Sequence, residues 1–457
     1  MSNFFEKFLN DKSLKMTYQD HLYDFSKLLN YFQKLEVYFK KENVVAGDTI
    51  FFKGEVHPLQ LLLLFVCEKM GLVFMPCSLR VTPFEQANII TDIQPQWIFE
   101  QDGFDFKLSR NSPSVLKNLQ QGGCLFQTSG TTGSPSFILQ PFTNMYANAL
   151  NTIRGQNILP TSKVLSLLPL SHVGGLCMQT TGALVSGCHL ILADRNNLQK
   201  FALDLGEATH CALVPAYIRM LNQISVFKDN KYSNAPFVLT GSTSISEKIF
   251  STYKEKGFKV QSVYGLTEVG PYVCTVSDQV KEPVPGSISY LGKPVPGYEM
   301  RISTETGQIE IKGPCVGLKF NSHDKTFGSM IRSDGFFATG DLGVEVNQEF
   351  YYSGRMNNLI NVGGHKVNTA EIEYVLNLFP SVTQCAVIGI PHHTLEEIPK
   401  AFIVGKPEDK QAIMKHLKDH LSDYKIPRKI EFLDQLPMTS SGKVATGELK
   451  KRQANEN

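Results

Sequence analysis

The sequence predicts a mixed α/β protein: a large N-terminal region of several subdomains, made of layered α/β units plus a β-rich subdomain, and a small α+β C-terminal domain. Three observations predict it. A chain of 457 residues exceeds the size at which a single hydrophobic core usually stops growing. Helical and strand patterns alternate through the first half. In the second half, short strands stand among Gly and Pro turns.

Leu22, Phe25, Leu29, Phe32, Leu35 and Phe39 recur at intervals of three and four, which predicts an amphipathic helix beginning at Leu22. Ala46, Gly47 and Asp48 form a turn before a strand from Thr49 to Phe52. A helix over 57–70 follows, and its apolar run Leu61 to Val66 is far below the roughly 18 residues of a membrane span, so it reads as buried. Further strands are predicted at Leu72 to Met75, Trp97 to Phe99, Val164 to Leu168, Leu190 to Leu192 and Ala212 to Val214. Ile309 to Lys312 and Glu349 to Tyr352 are the short strands of the β-rich subdomain. A domain change is expected at Gly354, dividing the chain into 1–354 and 355–457. Beyond it, Asn368-Thr369-Ala370-Glu371 has the pattern of a capping box opening a helix. A strand from Gln384 to Ile390, a helix from Lys410 to Tyr424 and a strand from Lys429 to Leu433 complete the tail.

Composition narrows the function by exclusion. With 42% hydrophobic and 19% charged residues and a net charge of +2, the chain has the balance of a globular protein and no basic excess for nucleic acid. The N-terminal segment lacks a continuous apolar core before a small-residue cleavage site, so a cytoplasmic protein without a membrane span is expected. The nine cysteines never form C-x-x-C, which argues for buried thiols over a disulfide framework or a zinc site.

The strongest local signal is Q127-T-S-G-T-T-G-S-P-S136, directly after the apolar group Cys124 to Phe126. Gly130 and Gly133 let the backbone turn so that N–H groups converge on an anion, and the hydroxyls of Thr128, Ser129, Thr131 and Thr132 add donors. A polar hairpin is the plain alternative. The segment lacks the lysine of G-x-x-x-x-G-K-[ST] and is not a Walker A loop. In Y264-G-L-T-E268 a carboxylate follows a hydroxyl, a pairing suited to Mg²⁺ beside a phosphate oxygen. Asp341 in T339-G-D341 can accept from two ribose hydroxyls, with Arg355 completing the grip, or the two form an ordinary ion pair.

These motifs, with I360-N-V-G-G364, E371-I-E373 and L436-P-M-T-S-S-G-K443, occur in the order of the adenylate-forming superfamily of acyl-CoA synthetases, luciferases and nonribosomal adenylation domains, which the whole chain resembles. The resemblance implies an AMP-forming acid–thiol ligase using ATP, Mg²⁺ and coenzyme A on a small carboxylic acid, with a C-terminal domain that moves. It implies that Thr267 contacts the α-phosphate, Glu268 holds the metal, and Tyr264, beside Gly265, stacks near adenine. Lys443 resembles the lysine that neutralises charge between carboxylate and α-phosphate. Gly363 and Gly364 would line the thiol's channel, though alone they read as a tight turn. His172, in P-L-S-H-V-G-G-L, is similar to a residue beside the acyl pocket, where Gly174 and Gly175 would leave room. Gly241 and Ser242, in L-T-G-S-T, resemble the floor of the carboxylate and adenine site.

The segment S-H-V-G-G stands where amino-acid-activating members carry F-D-x-S, so a non-amino acid is favoured, and the chain looks most like the o-succinylbenzoate-CoA ligase branch. Three positions depart from the pattern: Pro135-Ser136-Phe137 replaces P-K-G, Asn357 replaces a charged hinge residue, and Ala445-Thr446 replaces an arginine. Two alternatives remain open, a standalone protein that loads an acyl-carrier protein and a nucleotide-binding pseudoenzyme. Ser440 and Lys443 form S-x-x-K, but no K-T-G follows, and neither G-x-S-x-G nor H-E-x-x-H is present.

Overall fold

A computed structural model describes residues 3–54, 56–112, 121–128, 136–241, 247–277, 281–438 and 444–455. They divide into two compact units, one of residues 1–279, 294–299 and 311–337 and one of 280–293, 300–310 and 338–457. The edges of these compact units do not fall at 354.

The first unit is layered. One sheet runs 270–277, 259–266, 237–240, 210–212, 163–166, 189–192, 15–18, 21–23, and all but its two outer strands are parallel. The other runs 326–329, 318–321, 136–141, 123–128, 73–77, 49–53, 97–102, 105–110, with 123–128, 73–77, 49–53 and 97–102 parallel. Between them lies the helix Pro58–Met70, in which every residue from Pro58 to Cys67 is buried. It shares one buried apolar cluster with Ile50, Phe52 and Phe74 of one sheet and Val164 and Leu190 of the other. A helix apolar on all sides has no solvent face to keep polar, which explains why L-L-L-L-F-V carries no amphipathic period. Helices Pro83–Ile93 and Glu247–Glu255 cover the outer faces. No helix among the described residues is long and apolar enough to cross a membrane. All nine cysteines are free, eight of them buried.

Two predicted helices end differently. The first begins at Phe25, with Asp24 accepting from the Lys27 N–H at 2.9 Å, and Leu22 belongs to the strand His21–Tyr23. A hairpin turn at Gln19 and Asp20, both at positive φ, intervenes. The helix Lys410–His420 stops at Leu421, whose extended backbone leads to a separate 3-10 turn at Asp423–Lys425.

In the second unit, strands run 299–302, 308–312, 337–346, 349–355, 289–294, and a further sheet runs 365–368, 359–362, 396–404, 384–392, with 429–432 parallel to 396–404. Asn368 does cap the helix Thr369–Leu378, accepting from the Ala370 N–H, but Glu371 pairs with Lys425 at 2.7 Å and gives no reciprocal bond. The buried Lys400 bonds Glu431 at 2.7 Å and Gln453 at 2.6 Å, and Arg452 reaches Glu431, so the helix Thr446–Asn455 is fastened to the sheet.

Two carboxyl groups link this packing to pH. Burial pushes both Glu68 and Glu373 up to about 7, although Glu68 accepts from the Phe5 N–H and Glu373 from the Val387 N–H. A raised folded-state value means that the folded chain holds more protons than the unfolded one between the ordinary carboxyl range and about pH 7. Their stabilising contribution is complete below the ordinary range and is lost as pH rises through 7. Glu373→Gln, which keeps the acceptor without the charge, is expected to raise Tm at pH 8 by about 2–4 °C and to leave it unchanged at pH 4. Thermal melts across pH check this, and an equal gain at both ends refutes it.

Candidate active site

In the first unit, adjacent parallel strands deliver motif residues to one sheet edge. Gly241 directly follows the strand Phe237–Thr240, and Tyr264 and Gly265 end the neighbouring Lys259–Leu266. Ligands of open α/β sheets bind outside such carboxyl ends. Beyond Gly265 the register shifts between Tyr264 and Leu266, so the chain bulges before turning back to Gly270. At Gly265 a Cβ would strike the Gly270 carbonyl and Pro271, and only glycine allows that approach.

Thr267 and Glu268, both half-buried, sit in this turn. The turn is braced from two sides: the Gln140 side-chain amide donates to the Thr267 carbonyl at 2.6 Å, and the Gly317 N–H donates to the Glu268 carbonyl at 2.8 Å. Gln140 is buried, and its role was not read from the sequence. The one signal was a polar residue in the apolar run S-F-I-L-Q-P. Among the described residues no group of three or more His, Cys, Asp or Glu could hold a metal. A single carboxylate such as Glu268 suits Mg²⁺, which commonly takes one or two carboxylates and completes its shell with phosphate oxygens and water.

Thr128 ends the strand Gly123–Thr128, which pairs antiparallel with Ser136–Pro141, and its hydroxyl donates to the Ser136 carbonyl. Ser129, Gly130, Thr131, Thr132 and Gly133 lie outside the described residues, as do Ser242 and Lys443. His172 precedes a short turn of helix at Val173–Gly175 and is half-buried. Gly175 does not open space beside it: a Cβ there would meet the Pro169 carbonyl, so this glycine serves close backbone packing.

In the second unit, Asp341 and Arg355 face each other in register on neighbouring strands, with Arg355 Nε 2.7 Å from Asp341 Oδ1. Asp341 is 2% exposed, whereas the Arg355 side chain is 43% exposed. Thr339 shapes the approach by accepting from the Asp341 N–H and donating to the Ile309 carbonyl. Burial, then the Asp341 charge, raises the neighbouring Tyr352 phenol well above its ordinary value. Gly363 and Gly364, at φ 58° and 87°, make the two-residue turn of the hairpin Leu359–Val362/His365–Asn368. Both are exposed. Asn357 lies in the 3-10 turn Met356–Asn358 just past Arg355. The bridge Met438–Val444 and the bond from the Ala445 N–H to the Pro437 carbonyl pin the chain on both sides of the Lys443 segment.

The first unit thus offers glycine-lined strand ends of an open α/β sheet, and the second unit carries a buried carboxylate paired with a guanidinium. Comparison with known proteins agrees. Residues 123–319 match the AMP-binding enzyme model and 371–443 match its C-terminal domain. The 2-succinylbenzoate–CoA ligase of Enterococcus faecalis is 30% identical over 74% of this chain and 71% of its own. The indoleacetate–CoA ligase of Aromatoleum aromaticum is 27% identical over 92% and 91%. In fold, the chain is similar to the o-succinylbenzoate CoA synthetase of Bacillus subtilis solved with its acyl-adenylate intermediate (TM-score 0.82, 23% identity, 98% of each chain). The chain belongs to the AMP-binding, adenylate-forming enzyme family, within the superfamily of acyl- and aryl-CoA ligases.

Proposed function

We propose that this chain is an ATP-dependent aryl- or acyl-acid–CoA ligase. In the first half-reaction a carboxylate oxygen of the acid attacks the α-phosphorus of ATP, and the bond to the bridging oxygen breaks, releasing pyrophosphate. In the second, the CoA sulfur attacks the acyl carbon, a C–S bond forms, the bond to AMP breaks and the thiol proton passes to solvent. The observation that carries the reading is the meeting of Gly241, Tyr264, Thr267 and Glu268 at the carboxyl ends of two adjacent strands.

Thr128 to Gly133 would hold the phosphates, and Glu268 would hold Mg²⁺, which would offset phosphate charge. Gly241, Ser242, Tyr264 and Gly265 frame the adenine, Asp341 and Arg355 take the ribose, and His172 borders the acid. Residues 355–457 move against 1–354, bringing Lys443 to the first step and Gly363-Gly364 to the second. The relatives named above favour an aryl acid, 2-succinylbenzoate included, by analogy of sequence.

Pyrophosphate release with Mg-ATP over a panel of aryl, succinylbenzoyl and fatty acids tests this, with CoA, a carrier protein or neither present. Acid-dependent release with the aryl acids and a thioester formed on CoA are expected. Release that no acid stimulates refutes the ligase, and a thioester formed on the carrier protein alone moves the reading to carrier loading.

A further inference from the structure

In the second unit, the exposed turn at Gly363 and Gly364 is held by a neighbouring hairpin that carries a strained residue. The strands Gln384–His392 and Glu396–Val404 pair antiparallel with His392 opposite Glu396, so His393, Thr394 and Leu395 make a three-residue loop. Glu396, which also pairs with Val362, closes that loop at φ 62°, in the left-handed region. Glycine adopts this region freely, and Asn or Asp can bond the local backbone there, whereas glutamate enters it at a cost in strain. Such strain persists only where the surroundings hold it, and it gathers at functional sites.

The Glu396 side chain shows what the strained backbone serves. Glu396 Oε2 accepts from the Asn361 side-chain amide at 2.8 Å, and Asn361 Oδ1 accepts from the Gly364 N–H at 3.1 Å. Asn361 thus bridges Glu396 to the glycine turn. The backbone is fixed at the same points: the Asn361 N–H donates to Glu397 Oε2 at 3.0 Å, and the Gly363 N–H donates to the Leu395 carbonyl at 2.9 Å. Gly389 leaves the space that the Glu397 carboxylate fills, since a Cβ there would meet Oε1. Two successive glycines do not fix a turn by themselves, so its shape depends on these outside bonds. Glu396 is exposed and Asn361 half-buried. A hydrogen bond so open to water adds little to stability, and stability alone does not account for a strained glutamate where glycine would fit.

We propose that Glu396, acting through Asn361, is a positioning residue for the thiol-transfer step: it holds the Gly363-Gly364 turn in the shape along which the thiol arm of CoA passes. The proposal rests on the ligase reading above, which gives this turn to the second half-reaction, and deepens it. Glu396 takes no part in the chemistry itself. Its effect is geometric, and a displacement of about 1 Å can cost an enzymatic step up to about 10²-fold. The first half-reaction does not use this turn and is indifferent to the bridge.

The test measures both half-reactions of the full chain: pyrophosphate release with Mg-ATP and the most active aryl acid of the panel above, and thioester formation from CoA and the supplied adenylate of that acid. Asn361→Ala and Glu396→Ala should each lower kcat/KM for CoA in the second step by about 10–100-fold, with pyrophosphate release within about twofold. The double variant should lose little more than either single one, because both remove the same bridge. Glu396→Gln keeps an oxygen to accept from Asn361 and should retain part of the rate. Glu396→Gly separates positioning from stability. Glycine relieves the strain, so this variant should melt about 2–4 °C above Glu396→Ala, yet form thioester as slowly.

Second-step rates within about twofold of the wild type in both alanine variants overturn the proposal. So does an equal loss in both half-reactions, or a Glu396→Gly rate that recovers with its melting temperature, since each marks a bond that serves the fold alone. The ligase reading fails separately, in the wild type. An unaltered chain that neither releases pyrophosphate with any acid nor forms thioester from supplied adenylate loses that reading, and this proposal with it. A wild type that performs both steps while the variants match it keeps the ligase and sinks only the bridge.

Discussion

Lys443→Ala is expected to lower acid-dependent pyrophosphate release by about 10²–10³-fold or more, while attack of CoA on supplied acyl-adenylate stays within about tenfold of the wild type. The first half-reaction brings a carboxylate anion against a phosphate that already carries negative charge. Its barrier is in large part the cost of that approach in a site from which water is excluded, where a fixed cation acts more strongly than in bulk solvent. The second half-reaction consumes a neutral acyl carbon and expels AMP, and it needs no cation between nucleophile and electrophile.

The weight on Lys443 is increased here by Ser136, which stands where the family pattern places a lysine after the phosphate loop. With one cation fewer near the triphosphate, loss of Lys443 has less to fall back on. Lys443→Arg keeps the charge but spreads it over a planar fork, so it should recover only part of the rate. Stopped assays of each half-reaction separate the two steps. Adenylation that persists in the alanine variant, or a loss shared equally by both steps, removes Lys443 from its assigned role.

Which features were legible in the sequence follows from where their information resides. The all-buried helix Pro58–Met70 and the parallel strands around it were read from short apolar runs, because a segment covered on every side has no reason to alternate. The hairpin before Phe25 was missed because its two left-handed residues are Gln19 and Asp20, without the glycine that usually marks such a turn. Leu22 then fell into step with the helical apolar residues by coincidence. Asn347 and Gln348 make a similar glycine-free turn between 337–346 and 349–355.

Among the site residues, those in contiguous motifs were visible because chemistry fixes their spacing. Gln140 was not. Its meaning comes from strands that are remote in sequence and adjacent in space, and only the sheet order supplies it.

Asp341→Ala is expected to raise KM for ATP by about 10–100-fold, since one or two charge-assisted hydrogen bonds to the ribose are lost, with a smaller change in kcat. The pair it forms with Arg355 is asymmetric in burial, and the two alanine variants should therefore fail differently. Removing Asp341 leaves Arg355, 43% exposed, free to take up water in place of its partner. The fold should tolerate that. Removing Arg355 leaves Asp341, 2% exposed, with a buried charge that has lost its counter-ion, and breaking a pair from this side is the costlier direction.

Arg355→Ala should accordingly lower Tm further than Asp341→Ala, even though Asp341→Ala weakens ATP more. Asp341→Asn keeps the shape and one acceptor and should fall between wild type and alanine in KM. Initial rates against ATP concentration, paired with thermal melts of the same preparations, measure both orders. A KM for ATP unchanged within about twofold in Asp341→Ala would mean that the pair is structural alone, because a carboxylate that grips two ribose hydroxyls cannot be lost without a cost in binding.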